Sequence, residues 1–588
     1  MKRLIAFCTL FLLFVPIISA SEGHMKLLAV SETDSGSYKG TTADLYLEIN
    51  PGTGRVFLDT FPLSKIDTQI STRLAKETAC THLNIDCDYF DFFYTIRANS
   101  AIVAGPSAGA AITELTIAVL DNQKISENAS ITGTINSGGL IGPVGGIKDK
   151  INAAQKIGLK LVLIPEGERI SAVNGNDSLD LIKYGRDNGI EVIEVSDIDE
   201  AAIYLIGKNY KKETKNLEIN PVYSETMRQL AQSLCNNSKE TLDTLAYLNG
   251  TDIYKNAENY SRQGFNSYDA SAYYSAASYC FGSNVRLTYL DYLNKGYDRK
   301  EILEELDEIE ANVKEIESQI PKLKTITDLE AYALVKERLE ESLDYINNSR
   351  ETVDENRNDS LYSLAYAKER VNSALSWEVF FGKPGKEFDF NKNVLMLSCQ
   401  SKIAEAEERY EYVKLFFPDA LSNTGTTIEK ASDDLENESY DLCLFRASKA
   451  KAESDVVLST FGISQSQLFN LMDKKEAIVK RTIAEQTSRG IFPIAGYSYY
   501  EYANSLRGQD VYSALIFYEY ALELSNLDSY FRESKNIVSL PMPSLEEQYK
   551  RIEKLRYVLF LVLGLLLGIA VTRIYYLQKF KSKSKRKK

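Results

Sequence analysis

Period-two and period-three-to-four patterns alternate over residues 26–208, and each predicts an element. Residues 45–49 (LYLEI) and 56–58 alternate as strands do, 65–79 carry a helical spacing, 101–103 form a short apolar strand, and 189–195 form a late one. Ala108, Ile112, Leu115 and Val119 recur at steps of three and four and predict a helix opening at 108. Gly145 and Gly146 break the chain, Ile147, Ile151 and Ala154 begin a further helix that Gly158 ends, and LKLVLIP runs as a strand to Pro165. The pattern is α/β, and about 180 residues suffice for one well-buried core.

From 217 to 545 the chain turns helical, rich in Glu, Lys, Ala, Leu and Tyr. Residues 300–350 predict two long amphipathic helices around Pro321, paired as an antiparallel coiled-coil hairpin. Three Tyr-led segments studded with small residues start at Ser267, Ser439 and Asp510. They read equally as the second helices of tetratricopeptide-like hairpins and as ordinary bundle core. Residues 537–544, with LPMPS inside, read as a linker.

The ends set the expected compartment. Met1-Lys2-Arg3, an apolar run over 4–18 and small residues at Ser19 and Ala20 predict a signal peptide over 1–20. Residues 557–572 are uncharged, and with Arg556 and Arg573 snorkelling the stretch 555–577 is long enough to span a bilayer as a transmembrane helix. The lysine-rich tail 578–588 is then cytoplasmic by the positive-inside rule, which places the protein in the cell membrane as a single-pass protein with its N-terminal ectodomain outside.

Composition narrows the partners. A net charge of −14, basic tail included, argues against nucleic acid. Six cysteines remain once Cys8 leaves with the signal, and spacing pairs Cys80 with Cys87, Cys235 with Cys280, and Cys399 with Cys443. A metal site of Cys80, His82 and Cys87 is the rival, weakened by the lack of a second ligand pair. Sequons at Asn128, Asn176, Asn236, Asn249, Asn259, Asn347, Asn358 and Asn437 are candidate glycosylation sites.

The chemistry concentrates in 101–165. Gly105-Pro106-Ser107-Ala108-Gly109 displays a hydroxyl at a helix N-terminus, where backbone N–H groups around Gly105 and Ala108 can hold an oxyanion. Lys148, in the first turn of the next helix among Val144, Ile147 and Ile151, is the candidate base, since burial and the positive helix end favour its neutral form. With only His24 and His82 in the chain, a Ser-His-Asp triad is poorly supplied.

At these residues the chain resembles the proteolytic domain of the Lon proteases. The resemblance rests on GPSAG at 105–109, Thr132-Gly133, GPVGGIKDKINAAQKIG at 142–158 and the strand ending at Pro165, with the lysine 41 residues after the serine. EINPGTGRVFLDTF at 48–61 is similar to that domain's early hairpin. The resemblance implies Ser107 as nucleophile, Lys148 as general base and Thr132 as the lysine's hydrogen-bond partner. Two positions depart: the family's acidic residue before GPSAG is Ala104 here, and its TGE reads Thr132-Gly133-Thr134.

The expected fold is thus an α+β Lon-type proteolytic domain (25–210), a mostly α-helical domain (211–550) and one C-terminal transmembrane helix. No Gly-x-x-x-x-Gly-Lys-Ser/Thr phosphate loop occurs in the sequence, so the expected activity is an ATP-independent serine endopeptidase acting on exposed or unfolded proteins at the cell surface. No cofactor, metal or ATP is implied. The family's ring assembly leaves homo-oligomerisation open. The rival reading is a catalytically silent Lon-like scaffold or receptor with a helical interaction module.

Overall fold

The computed structural model of the chain describes residues 21–32, 38–61, 66–98, 106–173, 177–211, 217–388, 392–418, 421–460 and 465–527, together with Gly568 and Thr572. Strands β1 (Ser21–Glu32), β2 (Tyr38–Pro51), β3 (Val56–Phe61) and β4 (Phe90–Ala98) form one sheet in the order β1-β2-β4-β3. β1, β2 and β4 run antiparallel, while β3 is parallel to β4 because helix α1 (Ile66–Leu83) crosses between them. Leu45, Leu47 and Ile49 on β2 and Phe92, Tyr94 and Ile96 on β4 are buried, whereas Tyr46 and Phe93 between them are exposed. That alternation gives the sheet one apolar face, which packs with Ile112, Leu115 and Val119 of α2 (Gly109–Leu120). Inside the contact the Tyr94 hydroxyl meets Thr116 Oγ1 at 2.8 Å.

The chain continues through β5 (Ala129–Ile131), β6 (Thr134–Ile135), β7 (Ile141–Gly142), α3 (Ile147–Lys156), β8 (Leu161–Pro165), β9 (Ile170–Val173), β10 (Asp177–Asp180), α4 (Leu181–Asp187), β11 (Glu191–Val195) and α5 (Ile198–Leu205). β11, β8 and β5 form a parallel sheet with β8 central, so Val162, Leu163 and Ile164 are buried on both faces and read as an unbroken apolar run. β6 and β7 make a ladder only two residues long.

The helical half comprises α6 (Pro221–Thr244), α7 (Asp252–Asp269), α8 (Tyr273–Lys295), α9 (Arg299–Gln319), α10 (Ile326–Thr352), α11 (Arg357–Trp377), α12 (Lys392–Phe416), α13 (Ser422–Glu436), α14 (Tyr440–Thr460), α15 (Gln465–Ser488), α16 (Ile494–Leu506) and α17 (Val511–Ser525). Start signals are explicit: Asn220 caps α6 with Pro221 in the first turn, and Asp298 and Thr325 form capping boxes on α9 and α10. The segment from Ser267 finishes α7 and opens α8, while those from Ser439 and Asp510 open α14 and α17. Each of α8, α14 and α17 is the second helix of a hairpin, packed on α7, α13 and α16. Two helices do flank Pro321, but α10 pairs chiefly with α11 instead of α9. The reason is that α10 is buried along several faces, through Ile326, Leu334, Val335, Arg338, Leu339 and Ser342, so it is a core helix and not half of a solvated coiled coil.

Disulfides join Cys80 to Cys87, Cys235 to Cys280, and Cys399 to Cys443. The first closes the metal reading of Cys80, His82 and Cys87, and His82 lies in the last turn of α1, not in a loop. The second staples α6 to α8 and the third α12 to α14.

Between α12, α14, α15 and α17 lies a buried ionic cluster. Lys402 meets Glu405 and Glu523 at 2.9 Å each, Lys451 meets Asp455 at 2.7 Å, Arg409 lies 3.3 Å from Asp455, and Lys475 pairs with Glu519. Charges so deeply buried persist only when paired.

Among the described residues no helix is long and apolar enough to cross a membrane. The expected fold class is therefore corrected to an α+β domain followed by a mostly helical one, and the single-pass cell-membrane placement that rested on a span at 555–577 is withdrawn with it. Only Gly568 and Thr572 of that stretch are described, and the signal peptide over 1–20 and the tail 578–588 lie outside the described residues.

The Cys235–Cys280 bond closes a separation of 45 residues, so Cys235→Ala/Cys280→Ala should lower unfolding free energy by roughly 3–4 kcal/mol in urea titration. A loss well under about 1 kcal/mol would show that helix packing alone holds α6 on α8.

Candidate active site

Ser107 sits in a single 3-10 turn, Pro106–Ala108, from which Gly109 opens α2. Its carbonyl accepts from the Gly133 N–H at 3.0 Å, and the Gly133 carbonyl accepts from the Ala110 N–H at 3.0 Å. The strand leading to β6 is thereby stitched to both sides of the half-buried serine. In the first turn of α2 the Ala110 N–H is thus already bonded, and the remaining N–H groups face the same end of the helix.

The second helix, α3, starts after Gly146, whose φ of 69° is the left-handed region that favours glycine. Ile147, Ile151 and Ala154 enter a core with Leu28, Val144, Val162 and Ile164. Strand β2 can approach this helix because residue 40 has no side chain: a Cβ at Gly40 would fall 1.8 Å from the Asp149 carbonyl oxygen.

The phase of α3 decides which lysine faces inward. Lys148, the expected base, is exposed, its Nζ 5.8 Å from the centroid of the Tyr184 ring. Lys150 is 2% exposed, and its Nζ donates to Thr132 Oγ1 at 3.0 Å. At 100° per residue, position 150 lies three after Ile147 and four before Ala154, near the apolar face, while 148 turns away from it. The structure turns Lys148 to solvent and brings Lys150, two residues on, to Thr132. Helical spacing was the signal that could have found Lys150 in the sequence.

Burial pulls Lys150 down to about 7, opposed by the carboxylate of Glu168. Relative to an ordinary lysine this favours the neutral amine by roughly 5 kcal/mol. Glu168, which sequence reasoning missed, is itself pushed up to about 7 by burial, with Lys150 opposing and Glu194 adding to the rise. Thr132 is fully buried between the two halves of the site: its Oγ1 accepts from Lys150 and donates to the Ser107 carbonyl at 3.4 Å.

The other expected site residues fall as follows. Ala108 lies between Ser107 and α2, and Gly105 is outside the described residues. His82 Nε2 lies 3.6 Å from Asp199 Oδ1, and His24 Nε2 lies 2.7 Å from Asp44 Oδ1, so both histidines face carboxylates. Among the described residues, Asp455, Glu519 and Glu523 are close enough to share a metal ion. The cations of Lys402, Lys451, Lys475 and Arg409 already compensate them, so the donor set does not fit a metal.

A serine hydroxyl at a helix N-terminus and a buried lysine of lowered basicity, joined through one threonine, are the parts of an acyl-transfer site that dispenses with histidine. Residues 76–206 match the Lon protease (S16) C-terminal proteolytic domain. The chain is 30% identical to the Lon protease of Paraburkholderia phytofirmans over 182 residues, which is 30% of this chain and 22% of that one. It is 29% identical to the Lon protease of Mycoplasma mobile over 191 residues, again 30% and 22% of the two chains. The chain spans about a fifth of the length of these curated relatives.

Gly40→Ala should cost about 1–3 kcal/mol of stability, because α3 must move off β2 to clear the methyl group. Urea titration checks this, and a neutral effect would mean the helix tolerates displacement.

Proposed function

We propose that the protein is an ATP-independent serine endopeptidase in which Ser107 is the nucleophile and Lys150 the general base. The observation that carries this reading is the buried Lys150 amine, held by Thr132 Oγ1 on the strand that also pairs with Ser107. Neutral Lys150 takes the Ser107 proton as Oγ attacks a peptide carbonyl. The N–H groups of Ala108 and of the first turn of α2, other than that of Ala110, which bonds Gly133, hold the developing oxyanion. Lysine then returns the proton to the leaving amine, and water releases the acyl group by the same route. Lys148 remains a solvent-facing cation. With no phosphate loop in the sequence to power unfolding, the substrates are flexible or already unfolded protein segments.

The test is cleavage of an unfolded protein by the purified chain without ATP. Ser107→Ala should abolish turnover, and Lys150→Arg should lower it by roughly 10²–10⁴-fold, since a guanidinium cannot serve as base. Lys148→Arg should leave the rate within about twofold, as expected for an exposed position. A wild-type chain that neither cleaves nor reacts at Ser107 with a fluorophosphonate would instead support the silent-scaffold reading.

The pH profile follows from the same amine. Lys150 must be neutral, so activity should rise with pH through about 7. The Glu168 carboxylate favours the ammonium, so Glu168→Gln should move that rise to lower pH. A profile unchanged by this substitution, or flat between about pH 5 and 9, would argue against Lys150 as the base.

A further inference from the structure

The β6–β7 hairpin is too short to hold itself. It has two residues on each strand, and two-stranded ribbons are marginal even when longer. Within it the Asn136 N–H bonds the Leu140 carbonyl at 2.8 Å, the Gly139 N–H the Asn136 carbonyl at 3.1 Å, and the Ile141 N–H the Ser196 carbonyl at 2.9 Å. Two of its other carbonyls are taken by the helical half. Arg409 of α12, fully buried, donates from Nη2 to the Ile135 carbonyl. Arg481 of α15 donates from Nη2 to the Gly138 carbonyl at 3.2 Å and from Nη1 to Asp199 Oδ2 at 2.6 Å.

Both arginines are themselves held. Arg409 Nε lies 3.3 Å from Asp455 Oδ1, and Asp455 is bonded by Lys451 at 2.7 Å. Arg481 is anchored by Asp199 on α5, which also faces His82 on α1. Contacts around the hairpin fit a built interface. Ser71 Oγ donates to Glu408 at 3.1 Å, Asn470 Nδ2 donates to Glu166 at 2.9 Å, and a Cβ at Gly138 would fall 2.5 Å from Ile478.

We infer that Arg409 and Arg481 are positioning residues, through which the helical domain holds the β5–β6 link that carries Thr132 and Gly133 against Lys150 and Ser107. The path is continuous along the backbone. Ile135 and Gly138 are fixed from the helical side, while Gly133 bonds the Ser107 carbonyl and Thr132 bonds Lys150 on the catalytic side. Guanidinium groups suit the task because a rigid planar fork fixes the directions of its bonds to a carbonyl and a carboxylate together, whereas the rotatable donors of a shorter ammonium do not. The helical domain is then part of the catalytic unit, and anything that displaces α12 or α15 changes the geometry at Ser107. The inference rests on the peptidase reading for its kinetic consequence, but its structural core can be measured without it.

The experiment uses the full chain with Arg409→Lys and Arg481→Gln, singly. Removing charge at 409 outright would take from Asp455 one of its two cations and from Glu408 its facing charge, and endanger the fold, so lysine keeps the charge and removes the fork. Hydrogen exchange of a peptide covering 132–142 is followed beside one from α7–α8 as an internal control, with melting temperature, fluorophosphonate labelling of Ser107, and kcat and KM on an unfolded protein. Each variant should stay folded and exchange roughly tenfold faster at the Asn136, Gly139 and Ile141 amides, the change expected from losing one charged hydrogen bond. The α7–α8 control should be unchanged. Labelling and kcat should fall by roughly tenfold while KM stays within about twofold. Arg481→Lys should recover part of the loss.

Wild-type exchange over 132–142 in both variants would overturn the inference, as would faster exchange spread evenly over the chain with kcat falling only in step with the folded fraction. A wild-type chain without peptidase activity would sink the peptidase reading alone, because the exchange measurement still decides whether the arginines hold the hairpin.

Discussion

Five hydrogen bonds converge on eleven residues, Thr132 to Gly142, and the arrangement of the chain depends on their being satisfied together. Thr132 Oγ1 accepts from the Lys150 amine, the Gly133 N–H donates to the Ser107 carbonyl while its own carbonyl accepts from Ala110, the Ile135 carbonyl accepts from Arg409, and the Gly138 carbonyl accepts from Arg481. A segment this short buries little apolar surface of its own, and its backbone groups must be paired because they are inside the protein. Its position is therefore set from outside, by α2 and α3 on one side and by the helical half on the other.

Buried lysines show two opposite solutions to one physical problem. Lys402 and Lys451 lie against carboxylates, and attraction outweighs desolvation, so both are raised above the ordinary lysine value. Their partner Glu523 is held down at about 2. Lys150 has a hydroxyl as its hydrogen-bonded partner and only a more distant carboxyl, Glu168, itself pushed up to about 7. Desolvation wins there, and the amine falls to about 7. The first arrangement makes fixed charges that rigidify a helical core; the second leaves an amine of lowered basicity. The difference lies in the neighbour supplied, not in the depth of burial.

The disulfides belong to the same division of labour. Two of them tie helices whose partners lie far off in sequence, α6 to α8 and α12 to α14. The α12–α14 pair also carries Lys402, Arg409, Lys451 and Asp455. A cross-link there limits how far the ionic cluster, and with it Arg409, can drift from the hairpin.

Local pattern determined much of this protein by itself. The strands expected over 45–49, 56–58, 159–165 and 189–195, the helices opening near 108 and 147, and the three cysteine pairs all follow from periodicity, chain breaks and spacing, which act over a few residues, while the strand expected over 101–103 lies outside the described residues. The serine at the head of α2 was legible for the same reason. Which of Lys148 and Lys150 is buried was a question of helix phase, decided by which side of α3 met Leu28, Val162 and Ile164. Glu168 and the arginines at 409 and 481 could not be read in advance, because their roles come from elements brought together across long stretches of chain. The pairing of α10 with α11 was likewise a packing decision, made by a helix buried on several faces at once. Sequence determines what a segment can become when its neighbours are its own next residues; only the tertiary structure decided which charges were desolvated, because desolvation is a property of everything packed around a group.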